Sequence, residues 1–487
     1  MTIALGIIIL VGGFIALFKL FRLTETARKT FAAAQRALAV IQDPGKDDDE
    51  KETEMKVLAK ELFGYFFLLT LGSCAALGIP TGLVWGLDQL GLINFQRVIA
   101  VTISWEFLIG TTVVLVLIGM FWGRKKGEGY EIRYSHGERA LHQVAFSTTL
   151  AQLSVADMED ALFKKRIEQA RNDRPVFVTG LPRGGTTLLL NLLHSLDEFA
   201  SHKYRDMPFL LTPLLWNRFS RVFQQADEMR ERAHGDGIMV SVDSPEALEE
   251  MVWKAFWSKQ YLTDRITPWS MKGDEQFDSF FENHMAKIIA LKKGKDQAVC
   301  RYVSKNNLNI SRIDYLLNAN PGATIIIPFR HPVRHAHSLL KQHLNFLDIH
   351  AQDPFARAYM KAVGHFDFGE NLRPIDFDGW LDGCRYTNPK DINFWLEYWV
   401  NAYEHLLSKT GDRVHLHSHE KLCKAPGQVL NTLASILDIT DRETFLKNES
   451  TIWKAPPPTL PTDQIDKNLL ETSEALWERL QKASLGT

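Results

Sequence analysis

The stretch from Pro175 to Leu193 constrains this chain more than any other. Val176-Phe177-Val178 is a short apolar, β-branched run that reads as a buried strand, ending at Thr179-Gly180. Leu181-Pro182-Arg183-Gly184-Gly185-Thr186-Thr187 follows, and then an apolar run from Leu188 to Leu193 that continues as a helix. Strand, glycine-rich loop and helix in that order cradle phosphate, because loop amides and the positive end of the helix converge on one anion. The expected fold class is therefore α/β: a three-layer, P-loop-like domain with a central parallel sheet. The Gly180-x-x-x-x-Gly185 spacing is that of a Walker loop, but Thr186 stands where an ATP-binding loop carries its lysine. The cation has moved to Arg183.

A second buried-strand run, Thr324-Ile325-Ile326-Ile327, leads into Pro328-Phe329-Arg330-His331-Pro332, with Ser338 on the helix that follows. A guanidinium there can grip a phosphate bidentately while the serine hydroxyl adds a donor. A third stretch, Val303-Ser304-Lys305-Asn306-Asn307, precedes a helix and the turn Asn320-Pro321-Gly322. Val414 to Leu422 supplies a late strand.

Together these motifs resemble the sulfotransferases that use 3′-phosphoadenosine-5′-phosphosulfate (PAPS), in particular bacterial-type, membrane-anchored members. The family's phosphosulfate loop reads Pro, Arg or Lys, Ser-Gly-Thr-Thr, and this chain departs from it at Gly184, where serine is usual. The resemblance implies that Arg183, Gly184, Gly185, Thr186, Thr187 and Leu188 bind the 5′-phosphosulfate. It implies that Arg330 and Ser338 bind the 3′-phosphate, which separates PAPS from ATP. Lys305 would hold the sulfonate or bridging oxygen, although the family often has proline where Asn307 stands. No metal is expected.

Transfer of the sulfuryl group follows the logic of phosphoryl transfer, in line and loose, with cations at the leaving end and a base at the acceptor. Arg183 and Lys305 supply the cations. Relatives place the base about twenty residues after the loop, where this chain has Asp206 and His202, in that order of preference; Asp206 has the alternative of pairing with Arg205 or capping a helix. Glu246, Glu249 and Glu250 read as a capping box and helix surface. His415, His417 and His419 alternate along the late strand, with too few acids nearby for a metal site.

Three apolar stretches precede this domain: Ile3 to Phe18, Leu62 to Leu87 and Val98 to Trp122. A helix needs roughly 20 apolar residues to cross a bilayer, so the second and third are long enough and the first is marginal. The connecting segment between the first two carries Lys19, Arg22, Arg28, Lys29, Arg36, Lys46, Lys51, Lys56 and Lys60, and Arg124, Lys125 and Lys126 follow the third. Basic residues stay on the cytoplasmic side, so the catalytic domain is expected in the cytoplasm, on a multi-pass anchor suited to a bacterial inner membrane. The acidic run Asp47 to Glu50 is expected as a turn. The expected organisation is membrane segments at 1–21, 62–87 and 98–122, an amphipathic loop at 22–61, a sulfotransferase domain at 134–455 and a C-terminal tail at 456–487.

A formal net charge of −2 gives no basic stripe for nucleic acid, and Cys74, Cys300, Cys384 and Cys423 are scattered without the spacing of a zinc site or a disulfide framework. The expected partners are PAPS, a lipid bilayer and an acceptor that is a carbohydrate, a lipid-linked molecule or another envelope component bearing a hydroxyl or amine. The alternatives are an ATP- or GTP-dependent kinase and a non-catalytic, membrane-anchored nucleotide-binding protein.

Overall fold

The computed structural model describes residues 2–42, 48–102, 104, 139, 142, 145–146, 149–223, 230–231, 239–241, 243–270, 273–292, 300–452 and 460–485. The chain divides into two compact units, Met1–Gly127 and Glu128–Thr487.

In the first unit, α1 (Thr2–Leu20), α2 (Leu23–Gln42) and α3 (Asp48–Gln89) pack on one another. Arg36 of α2 reaches Glu61 of α3 at 2.7 Å. The span Thr53–Gln89 is long and apolar enough, by length and composition, to cross a membrane. Phe63, Phe66, Phe67 and Leu71 stand exposed along it, as lipid-facing side chains would. The segment expected at 62–87 thus lies inside a much longer helix, and the acidic run expected as a turn enters that helix at Asp48. The first apolar stretch forms a shorter helix. The third lies mostly outside the described residues, as do Glu106 and Arg124 to Lys126.

The second unit is built on five strands: β1 (Val176–Val178), β2 (Phe199–Ala200), β3 (Arg301–Lys305), β4 (Thr324–Phe329) and β5 (Val414–Ser418). They form one sheet in the order β2-β3-β1-β4-β5, every pair parallel. Helices α4 (Thr149–Glu168), α5 (Thr186–His194), α6 (Glu250–Phe256), α7 (Glu275–Lys292), α8 (Pro332–Gln352), α9 (Ile392–Ser408), α10 (His419–Lys424), α11 (Pro426–Ile436) and α12 (Lys467–Ala483) surround it.

Alternation along the strands creates the layers. Phe177, Ile325 and Ile327 face a large core with Phe277 and Phe281 of α7, Trp395 and Trp399 of α9, and Leu476 and Leu480 of α12. Val176, Val178 and Ile326 face a second core with Leu189 and Leu193 of α5 and Val429 and Leu433 of α11. Five central strand residues (Val176, Phe177, Val178, Ile325 and Ile327) have no exposed surface, as parallel strands covered on both faces require.

Register positions the site. Val178 pairs with Lys305 on one side and Ile326 on the other, so β4 runs on for three residues after β1 has ended. The chain leaving β1 folds over the end of β4 at the carboxyl edge of the sheet, where open parallel sheets bind their ligands.

Candidate functional site

The loop after β1 is anchored at both sides: Thr179 N–H donates to Ile326 O (3.0 Å) and its hydroxyl to Asn306 O (2.7 Å). The loop then runs against the Pro328 carbonyl. A Cβ at Gly184 would stand 2.9 Å from Pro328 O and 3.0 Å from Leu181 O. A side chain at this position would force the loop away from the Pro328 carbonyl, which is why glycine fits it. Gly185, at φ +106°, caps α5 and turns the chain into it. The amides of Thr186, Thr187 and Leu188 thereby become the first-turn donors that a helix leaves without intrahelical acceptors. Gly184→Ser is expected to lower stability by about 1–3 kcal/mol through overpacking, read by thermal unfolding, and to weaken anion binding at the loop, read by calorimetry.

Arg183 sits at φ +69°, a left-handed conformation that costs a non-glycine residue on the order of 1 kcal/mol. Its Nε lies 3.3 Å from Ser338 Oγ of α8, and Arg330 Nη1 approaches the Arg183 carbonyl at 3.4 Å. The three residues expected from two distant motifs therefore meet. Burial makes Arg330 give up its proton more easily; Glu420 opposes this, and the charges of Arg183 and Arg334 add to it. Its buried Nε has no hydrogen-bond acceptor among the described residues. A half-buried guanidinium with an unmet donor, beside a second arginine and a helix N-terminus, fits a dianion such as a ribose phosphate.

Beneath the loop lies a brace that no motif announced. Trp399 Nε1 donates to His335 Nδ1 (3.2 Å), which leaves the ring proton on Nε2, facing Pro182 O at 2.8 Å. Burial pushes the His335 imidazole down to about 3, so it stays neutral. Tyr403 donates to Pro328 O at 3.1 Å, securing the wall against which the glycines pack.

Lys305 ends β3 across from Val178, so its side chain starts at the same edge as the loop. The turn after it is held from inside. Asn306 Nδ2 donates to Glu250 Oε2 (2.7 Å), and Asn309 Nδ2 to Glu249 Oε1 (2.8 Å). Arg312 forms a buried ion pair with Glu250 and lies over the Trp253 ring at 4.1 Å. Glu249 and Glu250, expected on a helix surface, are buried at 0% and 3% exposure. Unpaired burial of either would be prohibitive, so the arginine and asparagines are what admit them.

The two residues expected as the base follow β2, and both are buried. Asp206 closes a 3-10 turn, Tyr204–Asp206, by accepting from Lys203 N–H (2.7 Å), and burial raises its carboxyl to about 6. That is the capping alternative. His202 is 1% exposed, with Nε2 at 2.9 Å from His284 Nε2, and burial lowers it to about 4. His419 begins α10 rather than continuing β5, and a Cβ at Gly185 would come 3.1 Å from its Nδ1.

Other polar groups do reach the loop's open side. Thr186 Oγ1 is 3.5 Å from Asn307 Oδ1, Asn307 Nδ2 donates to Asp367 Oδ2 (2.9 Å), and His365 Nε2 is 3.8 Å from the same oxygen. Burial lowers the His365 pKa; Asp367 opposes this, Lys305 adds to it, and Glu246 opposes it. His365 and Asp367 carry no sequence signal, because they lie far from the loop and in no motif.

Residues 175–367 match the model of a sulfotransferase family. No curated protein matches the chain. Among solved structures, sulfotransferase STF9 from Mycobacterium avium is 14% identical, with a TM-score of 0.38 over 76% of this chain and 96% of that one. Sulfotransferase STF1 from Mycobacterium tuberculosis H37Rv is 12% identical, with a TM-score of 0.32 over 76% and 98%. The sulfotransferase domain of the Synechococcus PCC 7002 olefin synthase is 13% identical, with a TM-score of 0.27 over 64% and 89%.

Proposed function

We propose, from the premise that residues 175–367 belong to the sulfotransferase family, that this protein transfers the sulfuryl group of PAPS to a hydroxyl or amine of an envelope acceptor. The observation that carries the reading is the meeting of Arg183, Arg330 and Ser338 around a buried guanidinium donor with no acceptor among the described residues. ATP has no 3′-phosphate to meet that donor, and Thr186 stands where a kinase loop needs lysine.

PAPS supplies an activated sulfuryl group whose leaving oxygen belongs to a phosphate. The work left to this chain is positioning and charge compensation. The first-turn amides of α5 and the Arg183 side chain hold the phosphosulfate, Lys305 meets charge growing on the bridging oxygen, and Arg330 with Ser338 fixes the 3′-phosphate. His335 keeps the loop in register from below. Asp206 and His202 remain candidate proton acceptors only if the acceptor reaches the interior where they are hydrogen-bonded.

The reading includes a membrane anchor: α3 supplies a span by length and composition, two more apolar stretches flank it, and the basic residues of 19–60 favour a cytoplasmic catalytic domain. An acceptor that is lipid-linked, or a carbohydrate assembled at the membrane, suits that placement.

The test is calorimetric titration of the detergent-solubilised full chain with 3′,5′-adenosine bisphosphate and with ATP, followed by transfer of labelled sulfate from PAPS into lipid and carbohydrate fractions. Tight bisphosphate binding, weak ATP binding and labelled product are expected. Preference for ATP would overturn the reading in favour of a kinase.

A further inference from the structure

We infer that Asp367 is the general base that takes the acceptor's proton, with Asn307 as its positioning residue; this rests on the sulfuryl-transfer reading above. The argument begins at the loop. Thr186 opens α5, and its hydroxyl lies 3.5 Å from Asn307 Oδ1; the same amide donates from Nδ2 to Asp367 Oδ2 at 2.9 Å. One side chain thus spans from the phosphosulfate loop to a carboxylate, and it occupies the position where the family often has proline.

The carboxylate is suited to the task. Asn307 engages only Oδ2, and Oδ1 has no hydrogen-bond donor among the described residues. Asp367 and His365 are half-buried, whereas Asp206 and His202 are buried. Asp367 can therefore be reached by an acceptor, whereas the two interior groups are committed to a turn and to a histidine pair. His365 Nε2 stands 3.8 Å from Asp367, and the charges of Lys305 and Glu246 also act on that ring. The groups around Asp367 include the Asn307 amide, the His365 imidazole and the Tyr398 phenol, with Lys305 and Glu246 near the imidazole.

In the step, the acceptor oxygen forms a bond to sulfur as the bond from sulfur to the phosphate oxygen breaks, and that electron pair remains on the 5′-phosphate. The acceptor proton passes to Asp367 Oδ1 and returns to solvent after the sulfate ester leaves.

The experiment follows labelled sulfate released from PAPS to water by the full chain in detergent, alongside calorimetry with 3′,5′-adenosine bisphosphate. Asp367→Asn is expected to slow release by about 10²–10⁴-fold while bisphosphate affinity stays within about threefold. Asp367→Ala should regain part of the rate in added formate, which a folding defect would not allow. Release within about threefold of wild type, or a parallel fall in bisphosphate affinity, would overturn the assignment and leave Asp367 as a structural partner of Asn307. A wild-type chain that neither binds the bisphosphate nor releases sulfate would overturn the sulfotransferase reading itself.

Discussion

Replacing Arg330 with alanine is expected to weaken binding of 3′,5′-adenosine bisphosphate by roughly a hundredfold or more, about 3 kcal/mol, while leaving ATP binding nearly unchanged. The guanidinium leaves the end of β4 half-buried, with its Nε unmet among the described residues and Arg183 and Arg334 near enough to press on its charge. A bound dianion would gain from both effects, because the arginine is already partly desolvated and, among the described residues, no carboxylate lies within salt-bridge distance of it. Lysine should not restore affinity, since a single ammonium cannot present two parallel donors. Thermal unfolding supplies a check of opposite sign: without ligand, removing one of three clustered arginines should leave stability unchanged or raise it, and the bisphosphate should stabilise the variant far less than the parent. Equal bisphosphate affinity in parent and variant would remove the 3′-phosphate from this site.

Removing Arg312 should produce the largest loss of stability in the catalytic unit. Glu250 accepts from Arg312, Tyr261 and Asn306, and all four are buried. Arg312→Ala leaves the Glu250 carboxylate buried without its cation, a cost of about 3–5 kcal/mol. For a unit of this size that corresponds to a fall in melting temperature of about 4–7 °C. Activity should fall before the unit unfolds, because Asn306 loses its fixed acceptor and Lys305 precedes it in the chain. Pairing Arg312→Leu with Glu250→Met should be milder than either single change, since no charge is then stranded. Calorimetric unfolding of the single and double variants measures this directly.

Much of the site was legible where chemistry and chain geometry coincide. The phosphate loop, Lys305 and Arg330 each sit at a strand end, and Ser338 lies on the helix that follows Arg330, so the local pattern marks where these residues come together. Spacing alone does not fix the proton acceptor, because Asp206 stands equally far after the loop whether it caps a turn or faces a substrate. Glu249 and Glu250 look like a solvated helix start until Arg312 and Asn309, some 60 residues on, arrive to neutralise them. Periodicity reports which face of an element is apolar; it does not report which distant residue meets a polar one. The same limit explains α3, where apolar content marked 62–87 but the helix begins at Asp48.

His335 connects two inheritances within the chain. Every residue proposed to touch donor or acceptor lies between Arg183 and Asp367, inside the segment that the family model recognises. Part of what steadies those residues lies beyond it: Trp399 fixes the His335 ring, Tyr403 ties down Pro328, Glu420 accepts from the His331 amide, and Gln481 of α12 donates to Ser418 at the end of β5. A fragment ending at 367 would keep the Glu250–Arg312 brace behind Lys305 and lose the ties that hold His335 and Pro328 from below.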